Sequence, residues 1–153
     1  MFASLFLITL SLMPFSFLMA TGELTETTGA NGIVEVHVIS ARGLKGVDKS
    51  GTSDPFVRLK VGKDHSKTKH IKKSLDPQWN ETFKFKVTEA PVGLELDVKD
   101  HNTLSSSIAL GSFHANLWDI LKVQPGQSAE TEQWFPISPP GSGEIQIRLV
   151  FSP

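Results

Sequence analysis

The sequence predicts an all-β fold, a sandwich of two antiparallel sheets. Apolar and polar residues alternate with a period of two in five segments, at 33–38, 56–61, 83–87, 94–98 and 145–151. Such alternation is typical of strands with one buried and one solvated face. The gaps between the segments rarely leave room for a crossover helix, so we expect antiparallel neighbours. A chain of 153 residues provides one domain of ordinary size and no second one.

Each segment predicts its own inward face. The first segment buries Val34, Val36 and Val38 and leaves polar residues on the opposite face. Helical spacing occurs only at 116–123 (NLWDILKV), where it predicts one or two turns. The inward residues of the other four segments are Val57, Leu59 and Val61; Phe83, Phe85 and Val87; Leu94, Leu96 and Val98; and Ile145, Ile147, Leu149 and Phe151.

Composition excludes several classes of protein. Hydrophobic residues make up 39% and charged residues 20%, which suits a packed domain better than a disordered chain. Lys and Arg total 15 against 16 Asp and Glu, so no positive excess points to nucleic acid. The absence of cysteine excludes disulfides, thiolate metal sites and cysteine nucleophiles. Because no Gly-x-Ser-x-Gly turn, Gly-rich phosphate loop or metal-binding histidine pair occurs, we do not expect an enzyme.

The near-neutral total conceals a chain whose charge is polarised along its length. Residues 1–41 carry a net charge of −3, residues 42–86 carry +7 and residues 87–153 carry −5. Such asymmetry concerns surfaces and partners rather than the fold. We therefore expect a binding surface in the central, basic part of the chain.

The first twenty-two residues predict a targeting segment outside the fold. They contain no ionisable side chain, and 2–13 is a nearly continuous apolar run. Small residues at 20–22 (ATG) suit signal-peptidase cleavage, which would place the domain in the secretory pathway or outside the cell. The alternative is an uncleaved membrane anchor, since 2–19 approaches the ~20 residues that span a bilayer. The predicted organisation is a signal peptide or anchor at 1–22, a polar linker at 23–31 and the β-domain at 32–153.

Several spaced motifs resemble those of the C2 domain family. They are GIVEVHV at 32–38, DKSGTSDPFV at 48–57, SLDPQWNETF at 74–83 and WFPI at 134–137. In this order they cover about residues 32–151, so the resemblance does not depend on one motif. It implies an eight-stranded antiparallel Greek-key β-sandwich whose loops at one end dock on membranes, often through calcium. A strand-like segment after the last motif resembles the permuted variant, in which the C-terminal strand fills the place of the other variant's first strand.

The resemblance also implies a depleted calcium site. The family's cage uses two Asp in a first loop and three acidic residues in a later loop. Asp48, Asp54 and Asp100 match three of these five positions. Asn102 at the fourth position offers a neutral carbonyl oxygen, and Ile108 at the fifth offers no ligand. Because fewer anionic ligands bind calcium more weakly, we expect calcium to be a weak or absent cofactor.

A lysine-rich segment predicts the binding surface. In the resembled family it often binds phosphatidylserine or phosphoinositide headgroups. If 65–73 (HSKTKHIKK) is a strand, its alternation puts Lys67 and Lys69 on one face and Lys72 on the other. All six lysines can therefore share one surface only if the chain bends at the ends of this segment. Leu104, at the predicted tip of the depleted loop, is a candidate for contact with a membrane interface. The lysines of this segment are Lys60, Lys63, Lys67, Lys69, Lys72 and Lys73.

We therefore expect a non-enzymatic peripheral module that binds anionic phospholipid membranes. At about 1 kcal/mol per lysine near an anionic leaflet, four lysines predict a micromolar-to-millimolar attraction that salt screens. Two alternatives remain open. One is a protein-interaction module whose lysines meet an acidic protein partner. The other is a secreted domain that binds lipid in extracellular calcium, for which the glycosylation sequon at 80–82 (NET) would mark export.

Overall fold

The computed structural model describes residues 30–153, which form eight strands and one short helix. The all-β, eight-stranded antiparallel sandwich is confirmed. The predicted signal peptide or anchor at 1–22, and nearly all of the predicted linker, lie outside the described residues. In chain order the elements are β1 (Gly32–Arg42), β2 (Pro55–Val61), β3 (Asp64–Lys67), β4 (Gln78–Val87), β5 (Gly93–Asp100), β6 (Ile108–Asn116), α1 (Leu117–Leu121), β7 (Ala129–Pro136) and β8 (Glu144–Ser152).

The strands form two four-stranded sheets in which every neighbouring pair is antiparallel. Sheet A has the order β4-β1-β8-β7 and sheet B the order β3-β2-β5-β6. The C-terminal strand β8 lies between β1 and β7, an interior position that matches the permuted arrangement. The sheets therefore join strands that are distant along the chain.

The core lies between the sheets and consists of the alternating residues that the sequence assigns to it. Val34, Val36 and Val38 of β1 are fully buried, and β8 buries Ile145, Ile147, Leu149 and Phe151 in the same way. Only Phe83, near the edge of sheet A, is half-buried rather than buried. The period-two pattern thus identified the inward face correctly in all five segments.

Three strands differ from what the period-two pattern of the sequence predicts. Strands β6 and β7 do not show the regular alternation of β1, β2, β4, β5 and β8, because the β5–β6 register shifts at a bulge after Val98 and β7 buries few of its side chains. Strand β3 ends at Lys67, so a strand over 65–73 is wrong beyond that residue. The predicted helix is present as α1, with Asn116 as its N-cap. None of the described residues forms a helix of the length and apolarity that crossing a membrane requires.

The two sheets meet along one side and remain apart along the other. Ser138 donates its N–H to the Ser112 carbonyl oxygen of β6 (2.8 Å). Gly111 permits this approach: its φ is +124°, and an added Cβ would collide with the side chain of Ile137 and the carbonyl of Ser138. On the opposite side, the edge strands β3 and β4 border open surface pockets.

Candidate functional site

The outward face of the β2–β3 hairpin is basic. Residues directly opposite each other in an antiparallel pair share a face. Arg58 lies opposite Lys67, and Lys60 lies opposite His65. Alternate residues of β2 are buried, so these side chains face solvent. Arg58 is not among the predicted lysines. The alternation that buries Val57 nevertheless indicates that the next residue, Arg58, faces outward.

Acidic residues of β5 border this basic face. Asp97 lies opposite Arg58, and Glu95 lies opposite Lys60. The Lys60 ammonium is 2.8 Å from the Glu95 carboxylate, and this hydrogen bond lowers the pKa of Glu95. The charge of Lys60 is therefore balanced locally, unlike that of Lys67, which forms no ion pair within residues 30–153.

After Lys67 the chain leaves regular strand geometry but stays bound to β2. The buried Thr68 hydroxyl accepts the Val57 N–H (3.0 Å) and donates to the Lys69 carbonyl oxygen (2.8 Å). The Thr68 N–H donates to the Val57 carbonyl oxygen (2.9 Å). The Lys69 N–H donates to the Glu81 carboxylate of β4 (2.8 Å). These bonds fix the backbone that carries Lys67 and Lys69.

Lys67 and Lys69 line an open surface pocket of about 580 Å³. His70 and His101 line it as well, and their rings stack with centroids 4.1 Å apart and planes 6° apart. Phe56 of β2 contacts His101 edge-on, with centroids 6.4 Å apart. Neither Lys67 nor Lys69 forms an ion pair within residues 30–153. The pocket therefore combines two lysines that form no direct ion pair with aromatic rings and with the carboxylate of Glu81.

The six predicted lysines do not form a single cluster. Lys63 lies in the β2–β3 turn, whereas Lys72 and Lys73 lie beyond the opposite end of β2. Strand β2 has seven residues. At about 3.3 Å per residue its ends are about 20 Å apart. The structure brings together Lys67 and Lys69 at the pocket, and it places Lys73 beside the acidic loops.

The three predicted calcium ligands lie at the same loop end. Asp100 is fully buried, and its Oδ1 accepts the Asp54 N–H (2.7 Å). Its Oδ2 accepts a hydrogen bond from the Asn102 side-chain nitrogen (3.1 Å), and Asp54 Oδ1 accepts the Lys73 N–H (2.8 Å). Burial, followed by the charges of Asp100 and Asp54, raises the pKa of Asp48, while Lys73 opposes this effect. The carboxylates are thus close enough to repel one another.

This acidic cluster is not a ready-made calcium cage. Within residues 30–153, no three or more His, Cys, Asp or Glu side chains converge closely enough to hold a metal ion. Asn102 presents its nitrogen, not its carbonyl oxygen, to Asp100, and the fifth position is the hydrocarbon side chain of Ile108. Calcium takes about six to eight oxygen ligands. The described loops therefore offer fewer oxygen ligands than a complete calcium cage.

The most exposed apolar side chain at this end is Leu104. It lies in the loop between β5 and β6 and is 99% exposed. Ile108, at the start of β6, is 46% exposed. The loop end thus presents an isolated apolar tip next to the acidic cluster.

The sandwich, its permuted strand order and the loop motifs together define a C2 domain. A C2 domain family model matches residues 32–137, and the chain belongs to this family. It is 33% identical over 123 residues to extended synaptotagmin-3 of Mus musculus, an alignment that covers 77% of this chain and 13% of that protein. The chain thus spans about an eighth of that relative's length.

Solved structures show the same similarity. A C2 domain of a plant extended synaptotagmin 1 is 30% identical with a TM-score of 0.67, covering 80% of this chain and 95% of that one. A calcium-bound structure of two C2 domains of extended synaptotagmin 2 is 28% identical with a TM-score of 0.68, covering 78% of this chain and 45% of that one.

Proposed function

We propose that this C2 domain is a non-enzymatic peripheral module that binds anionic phospholipid surfaces containing phosphatidylserine or phosphoinositide. The observation that carries the proposal is the pocket in which Lys67 and Lys69 have no ion-pair partner within residues 30–153. Arg58, on the same outward face, extends the basic surface. The loops at 47–54 and 100–108 would lie against the headgroups.

Simple energetics indicate a weak, reversible association. Each Lys or Arg near an anionic leaflet contributes about 1 kcal/mol, so Arg58, Lys67, Lys69 and Lys72 together contribute about 4 kcal/mol. That alone corresponds to a roughly millimolar dissociation constant. Burial of Leu104 in the interface adds about 1.5–3 kcal/mol and lowers the constant to the order of tens of micromolar.

Calcium has at most a small part in this proposal. Because the similar structure of extended synaptotagmin 2 contains bound calcium, calcium binding should also be tested at the loops of this chain. Asp48, Asp54 and Asp100 would supply the carboxylates, and a bound ion would neutralise their mutual repulsion and bridge them to lipid phosphate. With Asn102 and Ile108 in place of two acids, we expect vesicle binding to change little when calcium is added.

Cosedimentation with phosphatidylserine vesicles at low salt, with and without calcium, tests the proposal. The variant Lys67→Glu/Lys69→Glu should bind at least about thirty-fold more weakly, because two attractive charges are lost. The control Lys122→Glu reverses the charge of an exposed lysine at the end of α1, outside the pocket and away from β3 and β4, and should bind like the wild type. Absence of wild-type binding in both conditions would contradict lipid binding. Capture of an acidic protein that survives without vesicle binding would favour the protein-interaction alternative.

The location of the domain depends on residues 1–22, and we propose two outcomes that one measurement separates. A cleaved signal peptide gives an exported domain, and an uncleaved segment gives a membrane-anchored one. Asn80 of the sequon is exposed, so a glycan would be sterically accommodated. Mass spectrometry of the protein from its own cells should find either an N-terminus near Glu23 with a modified Asn80, or an intact Met1 with an unmodified Asn80.

A further inference from the structure

The pocket lined by Lys67 and Lys69, the lysine pocket, also contains the acidic side chain of Glu81. Glu81 lies opposite Val38 in the β1–β4 pair, and Val38 is fully buried, so both side chains are on the inner face of sheet A. Because β4 is the edge strand of that sheet, the half-buried Glu81 lies at the open side of the sandwich. The pocket is therefore lined by charges of both signs.

These opposite charges do not pair directly with each other. Glu81 Oε1 accepts the main-chain N–H of Lys69 (2.8 Å), a bond that leaves the ammonium group of that lysine unused. Within residues 30–153, neither Lys67 nor Lys69 forms an ion pair, and the side-chain hydrogen bond of Glu81 uses Oε1 and not Oε2. A ligand in the pocket can therefore contact two ammonium groups and one carboxylate oxygen.

A ligand with charge of a single sign matches only part of this pocket. A phosphate is attracted by the two lysines, but the Glu81 carboxylate repels it. A headgroup that carries an ammonium beside its phosphate removes this conflict, because the ammonium offers three N–H donors and Glu81 Oε2 can accept one of them. Hydrogen bonds between ionised groups are stronger than those between neutral ones. The charge pattern therefore favours a headgroup that contains both an anionic and a cationic group.

We infer that Glu81 makes the pocket selective for phosphatidylserine over anionic lipids of the same net charge that lack an ammonium group. This inference rests on the proposed lipid function of the same pocket. The phosphatidylserine headgroup carries a phosphate, a carboxylate and an ammonium. Lys67 and Lys69 bind the two anionic groups, and Glu81 accepts an N–H from the serine ammonium. Phosphatidylglycerol has the phosphate but no ammonium, so the repulsion from Glu81 stays uncompensated when that lipid binds.

Phosphatidylcholine vesicles with an equal fraction of either phosphatidylserine or phosphatidylglycerol test this selectivity, because both lipids carry one net negative charge at neutral pH. With calcium chelated, the wild type should bind the phosphatidylserine vesicles at least about three-fold more tightly, as one partly exposed charge pair predicts. Glu81→Gln keeps a carbonyl oxygen for the Lys69 N–H but removes the charge, so this preference should disappear. The matched control Glu89→Gln removes an exposed carboxylate of the β4–β5 loop, outside the lysine pocket, and should keep the preference.

The ratio of the two affinities is the readout, because the loss of a negative charge by itself strengthens binding of both lipids alike. A purely structural role of Glu81 would change both affinities together and leave the ratio as it is in the wild type. Selection by Glu81 instead predicts that phosphatidylglycerol binding is not weakened in Glu81→Gln while the advantage of phosphatidylserine is lost.

Two soluble ligands provide a second measurement that needs no variant. O-Phosphoserine and glycerol 3-phosphate have similar net charge at neutral pH, but only phosphoserine carries an ammonium. In NMR titrations of the wild type, the amide signal of Lys69, whose N–H donates to Glu81, should shift more with phosphoserine than with an equal concentration of glycerol 3-phosphate. The comparison also separates recognition of the headgroup from attraction to a charged vesicle surface.

The outcomes separate this inference from the function on which it rests. No wild-type binding to either kind of vesicle overturns the lipid proposal itself. Equal binding of the two lipids by the wild type, or a phosphatidylserine preference that persists in Glu81→Gln, overturns selection by Glu81 and leaves the lysine pocket standing. If Glu81→Gln unfolds at a lower temperature than the wild type, the soluble ligands decide, and equal shifts with phosphoserine and glycerol 3-phosphate overturn the inference.

Discussion

Asp48 carries a charge that the folded protein does not fully compensate. Burial and the carboxylates of Asp100 and Asp54 raise its pKa, so the folded state holds the proton more tightly than the unfolded state. The ionised form therefore opposes folding: the penalty develops as pH rises from the unfolded pKa through the raised folded pKa, and it is complete above both. We expect Asp48→Asn to raise Tm slightly near neutral pH and to have no effect below about pH 3.

Thermal unfolding with and without calcium completes this test. Asp64→Asn removes an exposed carboxylate from the β3 end of the molecule and should leave Tm nearly unchanged. A wild-type Tm that rises with calcium, combined with an Asp48→Asn Tm that does not, would show that the loops hold the ion. That result would contradict the expected weak or absent calcium binding.

Leu104 provides a test of the loop end that is independent of charge. Because the side chain is 99% exposed, its replacement should not affect Tm. Leu104→Ser should weaken vesicle binding about ten-fold or more, since the apolar burial of one leucine is lost. Ser106→Ala, a substitution in the same loop that removes no apolar side chain, is the control. Equal vesicle binding by Leu104→Ser and the wild type would exclude insertion of this loop.

At the scale of elements, the segment after β3 determines where the pocket lysines lie. Thr68→Val removes the acceptor of the buried Val57 N–H and the donor to the Lys69 carbonyl. An unsatisfied buried polar group costs about 1–3 kcal/mol, so we expect urea unfolding to show a loss of that size. Thr68→Ser keeps the hydroxyl and should recover most of it. A loss of stability without weaker vesicle binding would show that the positions of Lys67 and Lys69 do not depend on the Thr68 hydrogen bonds.

The sequence predicted elements best where one side of a strand is buried and the other is solvated. Val34 and Leu149 face the core because period-two alternation leaves one register that buries the apolar set. The predicted strand at 65–73 is longer than the observed one, because the lysines and histidines of this segment form no buried face that would set a register. Thr68, a polar residue, is the buried one there, and Ile71 packs only partly against the core. Local pattern does not show the burial of Thr68, because it depends on a hydrogen bond to β2.

At the scale of the whole molecule, the charge partition along the chain is only partly a partition in space, because Glu95 and Asp97 of β5 lie beside the basic strand β2. The basic residues 42–86 include β2, β3 and β4, and the edge strands β3 and β4 lie on the same open side. The opposite edge of sheet A is β7, which carries Glu130 and Glu132. The open side is therefore the basic side, because it carries Lys67 and Lys69 without ion-pair partners within residues 30–153, and it would face an anionic surface.

This polarity predicts a steep dependence of vesicle binding on salt. Raising NaCl from about 0.05 M to about 0.3 M should weaken wild-type binding by an order of magnitude or more, because exposed charges are screened. Lys67→Gln/Lys69→Gln should bind more weakly at low salt and show a shallower salt dependence, whereas Lys122→Gln, at the end of α1, should follow the wild type. Binding that is insensitive to salt would mean that apolar contacts, not the basic side, dominate.

The candidate site could be predicted only in part. The segment that carries the lysines follows from local composition, and the acids at 48, 54 and 100 follow from the motif. The separation of Lys63 from Lys73 and the pairing of Lys60 with Glu95 depend on strand positions that composition does not specify. The contact between His70 and His101 joins two loops from different hairpins. Such a contact requires the sheet order and registers to be known first.

The interior position of β8 has a consequence for the order in which the protein can assemble on the ribosome. All four strands of sheet B have been synthesised once Asn116 has emerged, but sheet A lacks a central strand until 144–152 follows. Until then, one edge of β1 has unpaired N–H and C=O groups, and the apolar inner face of sheet B lacks the cover that the buried side chains of β8 provide. The nascent chain should therefore carry an uncovered apolar surface until residues 144–152 have emerged, and the sandwich should close only after that point.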